Sequence, residues 1–92
     1  MAETITSENT PLEFPCDFPI KAMIRTSEAA RDAVLSVVEE HVEIHRGRDV
    51  RSRASRNGRY ESLTISVRVD SRDQLERIYA DVRALDAVLM ML

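Results

Sequence analysis

At 92 residues and a formal net charge of −3, the chain suits one domain, leaves no room for a second, and argues against general nucleic-acid binding. A fold this small buries only about 60–65% of the surface its unfolded chain exposes, so modest stability supplemented by dimerisation is expected. One cysteine, Cys16, excludes an internal disulfide and fits a reducing cytoplasm, while no run approaches the ~18 apolar residues of a membrane span.

Met1–Glu13 has neither the basic region nor the apolar run of a signal peptide. Residues 1–11 are polar and read as a disordered tail. Pro11, Pro15 and Pro19 then hold an entry segment extended, and Phe14 and Phe18 pin it to the domain. Phe18, Ile20, Ala22 and Ile24 alternate with Lys21 and Met23, which predicts a first strand over 18–24. Thr26 or Ser27 caps a helix running to about His41. Ala30, Ala33, Val34, Val37, Val38 and His41 form its apolar stripe, and Arg31, Asp32, Glu39 and Glu40 face water.

Val50, Ser52 and Ala54 mark a weak edge strand, and Asn57-Gly58 accepts the positive φ angles of a tight hairpin turn. Leu63, Ile65, Val67 and Val69 alternate with Ser62, Thr64, Ser66 and Arg68, the clearest strand pattern in the chain. Ser71 caps a second helix, with Gln74 completing a capping box, and Leu75, Ile78, Tyr79, Val82 and Leu85 form its stripe. A last strand spans Val88–Leu92, with Val88, Met90 and Leu92 inward. The order βαββαβ predicts an α+β sandwich: a four-stranded antiparallel sheet with two helices on one face, strands one and three central, and strands two and four at the edges.

Charge is spread unevenly over this plan. Arg46, Arg48, Arg51, Arg53, Arg56 and Arg59 stand against one acid in that stretch, Asp49, a local +5 that leaves −8 elsewhere. Alternation sends Lys21, Arg51, Arg53 and Arg68 to the open side of the sheet, where they could grip an anion. Met23, Leu89 and Met91 are expected beside them, as an apolar patch with a basic rim. The plainer alternatives are a charged edge strand protected against aggregation and ordinary packing of the methionines.

Other chemistry finds little footing. His41 and His45 are four apart, but neither zinc-protease spacing nor a third ligand accompanies them. Cys16 has no base or cation next to it in sequence. RNA-recognition domains share the topology, yet they stack bases on central-strand aromatics, and here those positions are Thr64, Ser66 and Met23.

Leu12-Glu13-Phe14-Pro15, Phe18, Lys21-Ala22-Met23 and Ser55-Arg56-Asn57-Gly58-Arg59-Tyr60-Glu61-Ser62 resemble the YbeD-like family of small bacterial proteins, some labelled proposed lipoate regulatory proteins. The resemblance covers roughly residues 12–92 and implies a single ferredoxin-like domain there, similar to the ACT domains that bind amino acids and regulate enzymes. It supplies no catalytic or ligand residue. Ile24 stands where many relatives carry glycine, which disfavours the amino-acid mode of ACT domains. Paired cysteines of heavy-metal chaperones and the glycine-rich loop of acylphosphatases are both missing.

The expected function is therefore that of a non-enzymatic regulatory or adaptor module in the cytoplasm. It would act by protein–protein interaction through the open sheet face (Lys21, Met23, Arg51, Arg53, Arg68, Leu89 and Met91), with a partner protein or a second copy of itself. The alternatives are sensing of a small anionic metabolite and weak nucleic-acid binding through the arginine-rich hairpin. No catalytic residue, metal, cofactor or membrane attachment is expected.

Overall fold

Period-two alternation governs the sheet in the computed structural model, which describes residues 12–92; the tail expected over residues 1–11 lies outside them. The elements are β1 (Cys16–Arg25), α1 (Glu28–Glu39), α2 (Arg46–Asp49), β2 (Val50–Ala54), β3 (Tyr60–Val69), α3 (Arg72–Arg83) and β4 (Val88–Met91). The strands form one antiparallel sheet of order β2-β3-β1-β4. β1 and β3 are its centre, as the βαββαβ order predicts.

Ile20, Ala22 and Ile24 of β1 lie opposite Ile65, Leu63 and Glu61 of β3. All six side chains are buried on the same face. Val34, Leu35 and Val38 of α1 and Leu75, Ile78 and Val82 of α3 close over that face, so both long helices share one side of the sheet. The helix stripes recur at three and four residues, the spacing that brings successive turns onto one line. Leu35 joins the core although the predicted stripe omits it. Phe18 packs edge-to-face on Tyr79 with ring centroids 6.2 Å apart, and Leu12 and Phe14 lie against the core as the entry segment requires.

Both long helices start as their caps dictate. The Ser27 hydroxyl accepts from Ala30 N–H and the Ser71 hydroxyl from Gln74 N–H, each at 3.1 Å. The Gln74 side chain departs from an ordinary capping box. Its Oε1 accepts from Asp70 N–H at 2.7 Å and its Nε2 donates to the His41 carbonyl at 3.2 Å, which ties the end of α1 to the start of α3.

Two local expectations change. The Arg46–Asp49 stretch forms a single helical turn, α2, that the sequence pattern does not announce. Its Arg46 donates to Glu39 and Asp32 of α1, 2.7 Å to each, and this pairing holds the turn in place. The hairpin is a five-residue loop over 55–59 in place of a two-residue turn, and only Gly58 takes a positive φ, +76°. Asn57 works through its side chain, whose Oδ1 accepts from Arg59 N–H at 3.0 Å and from the Ser55 hydroxyl at 3.2 Å.

One-sided burial of β3 gives a direct test. Ile65→Ala should cost about 2–5 kcal/mol, the range for emptying a core site, whereas Thr64→Ala, one residue away on the open face, should change stability by no more than about 0.5 kcal/mol. Urea denaturation of both variants measures the contrast.

Candidate functional site

The side of the sheet turned away from the helices is built in rows across the strands. Arg51 of β2 lies opposite Thr64 of β3, and Thr64 lies opposite Lys21 of β1. In the next row Arg53 meets Ser62, Ser62 meets Met23, and Met23 meets Met90 of β4. Arg25 ends β1 on this same face, in register with Tyr60. Its alternation with Lys21 and Met23 was the signal that places it there, though Arg25 was not among the expected residues of this face. Arg68 is here too, paired to the facing Asp17 at 3.4 Å. Among the described residues, Lys21, Arg25, Arg51 and Arg53 make no ion pair.

The apolar part of this face differs from expectation at one strand. Ala22 of β1 lies opposite Met91, so Met91 points to the helix side and packs against the core. A bulge produces the change: Ile24 pairs with Val88 and Met23 with Met90, which leaves Leu89 as the extra residue. Strict alternation from Val88 is broken there, and Met90 replaces Met91 on the open face. Among the described residues, Leu89, Met90 and Leu92 are the exposed large hydrophobic ones, each about half accessible. Leu92 N–H donates to the Lys21 carbonyl at 3.0 Å and its side chain borders the cationic rows.

On the helix side, Glu61 is a buried carboxylate in an otherwise apolar register. Arg31 reaches it from α1 in a two-pronged contact, Nε to Oε2 at 2.9 Å and Nη2 to Oε1 at 2.8 Å. Arg31 therefore turns to the sheet edge, contrary to the expectation that it faces water. The Ser52 hydroxyl of β2 donates to the same carboxylate. A buried charge demands such partners, and the fork of a guanidinium satisfies both oxygens at once. Arg31, reinforced by Ser52, holds the Glu61 carboxyl below the usual glutamate range against the opposing effect of burial. The signal was available, since Glu61 continues the inward alternation of residues 63, 65, 67 and 69.

Other titratable groups serve the scaffold. His41 Nε2 contacts Asp81 Oδ2 at 2.7 Å, linking α1 to α3. The backbone N–H of His45 donates to Asp49 Oδ2 at 2.8 Å. Arg48, with help from that N–H, lowers the Asp49 pKa to about 2. No cluster of three metal-ligating side chains occurs among the described residues. Cys16 is half-buried at the start of β1. No described helix is long and apolar enough to cross a membrane.

A family model described as "Protein of unknown function (DUF493)" matches residues 9–92. The chain is 36% identical over 86 residues to a UPF0250 protein of Nitrosomonas europaea, covering 94% of this chain and 99% of the relative. It is 42% identical over 82 residues to a UPF0250 protein of Shewanella woodyi, covering 88% and 90%. The solution structure of protein HP0495 from H. pylori is similar in fold, with a TM-score of 0.71 over 100% of this chain and 98% of that one, at 17% identity.

Depression of the Glu61 pKa fixes the sign of one pH effect. Its stabilisation is complete above the unfolded glutamate value of about 4.3 and is lost as pH falls through the lower folded value. Glu61→Gln should remove that acid-side loss. Denaturation midpoints measured from about pH 6 down to about pH 3 should fall less steeply in the variant than in the parent.

Proposed function

This chain belongs to the DUF493 (UPF0250) family of small bacterial proteins, as the YbeD-like resemblance implies, and we propose that it is a non-enzymatic adaptor binding an acidic partner protein in the cytoplasm. The contact surface is the open sheet face. One observation carries the reading: the cations Lys21, Arg51 and Arg53, unpaired among the described residues, share that face with half-buried Met23 and exposed Met90 and Leu92.

The chemistry favours a partner over a reaction. Arginine forks and a lysine offer many donors at fixed strand spacing, which suits carboxylates presented by another surface. Methionine and leucine beside them supply deformable apolar area, the usual composition of an adaptable contact. On the helix side α1 is net acidic, with Glu28, Asp32 and Glu39 against Arg31, and the acids of α3 are balanced by its arginines, so a negatively charged partner is steered to the cationic face. The strand order, with both long helices on one face, fits the ferredoxin-like, ACT-like arrangement, in which the open face is free to act as a platform.

Charge reversal tests the reading. Immobilised wild-type chain should retain acidic proteins from a native lysate, and the double variant R51E/R53E should release them while keeping its thermal midpoint. Retention by the wild type should also weaken as salt rises from about 50 to 300 mM, because exposed charges are screened over shorter distances. The same proteins retained equally by both chains would overturn it.

A further inference from the structure

The groove above β2, β3 and β1 differs from the other grooves described below in one respect: no aspartate or glutamate lines it. Its volume is about 400 Å³, and Lys21, Arg51, Arg53, Ser62, Thr64 and Leu92 form most of its walls. Three other grooves each hold acid. Glu61 lies in one, Asp17, Glu43 and Asp49 in another, and Glu28 and Asp32 in the third.

The register explains how the cations converge. Arg51, Thr64 and Lys21 make a row of cation, hydroxyl, cation, with about 4.8 Å between neighbouring strands. Arg53 and Ser62 occupy the next row on the same face, about 7 Å further along the strands. Long, flexible lysine and arginine side chains span both distances, so three positive groups can meet above Thr64 with two hydroxyls beneath them. None of the three is engaged by a carboxylate among the described residues.

We propose that this groove is a phosphate-binding site, for free phosphate or a small phosphate monoester. A planar monocarboxylate has two oxygens and one charge, and would leave most of these donors unmet. A tetrahedral dianion presents three or four acceptor oxygens, enough for two guanidinium groups, an ammonium and a hydroxyl together. Leu92 at one wall gives the organic part of an ester an apolar surface to lie on. The site deepens the adaptor reading and rests on it in one respect only. Bound phosphate neutralises the cations that an acidic partner requires, so ligand and partner compete and the ligand regulates docking.

The test is a titration of the ¹⁵N-labelled full chain with sodium phosphate at constant ionic strength, followed by NMR. Saturable shifts are expected at the amides of Lys21, Arg51, Arg53, Ser62 and Thr64. R51Q and R53Q should each weaken binding by about tenfold, the factor for losing a charge-assisted hydrogen bond. T64V, which changes no charge, should weaken it roughly threefold. Propyl phosphate separates the sources: tighter binding than inorganic phosphate identifies a monoester site, and equal binding identifies a free-phosphate site. Shifts that sodium chloride reproduces, that stay linear to about 50 mM, or that survive R51Q and R53Q unchanged would overturn the proposal. Such a failure would leave the partner reading standing, since lysate capture by the wild type and its loss in R51E/R53E need no phosphate.

Discussion

β3 is closed to water on one side and open on the other, and the rest of the molecule follows from that division. Leu63, Ile65, Val67 and Val69 are essentially inaccessible on the inner side. Removing such side chains from water is the main force available to a chain of this size. Two twelve-residue helices, each about 18 Å long, are what the chain can spend on covering them. A second covering layer for the outer side has no residues left to form it among 12–92. The polar and cationic character of the outer side is the complement of that arithmetic, because an uncovered sheet face must be compatible with water.

The same division accounts for the one charged residue buried among the described residues. Glu61 occupies an inward position near the start of β3, where the sheet meets the hairpin and the start of α1. A lone carboxylate there would lose its hydration without recompense. Arg31 and Ser52 replace the water, and in doing so they join three elements that hydrophobic packing alone would align loosely: a helix, a central strand and an edge strand. Non-directional burial sets which elements touch, while this directional contact sets where along its length α1 meets the sheet edge. Arg46, with its grip on Asp32 and Glu39, repeats the device on the outer side of the same helix.

Most of the fold was legible because its signals are local and repeat. Alternation located β1 and β3, stripes of three and four located α1 and α3, and serine caps marked the helix starts to within a residue. Failures came where a single long-range contact overrode a local pattern. Arg31 lies off the apolar stripe of α1 and reads as solvated until Glu61 is placed beside it. Arg46 and Arg48 belong to an arginine-rich run and read as free charge, yet each is paired with carboxylates in the fold. Of the open face, Lys21, Met23, Arg51, Arg53 and Arg68 were legible by counting in twos. Met91 was not, since a bulge leaves no mark in a run of apolar residues that would suit either side.

That bulge at Leu89 has an evolutionary consequence. Because the strand changes phase at one residue, the chain end beyond it can be re-addressed without disturbing β1 or β3. Deleting Leu89 would remove the bulge and keep Met90 opposite Met23 and Met91 opposite Ala22, whereas pairing Leu89 in register with Met23 would exchange the exposed and interior methionines as a pair. β4 is thus a tunable margin of the sheet, where closing one bulge alters what the molecule shows to its surroundings.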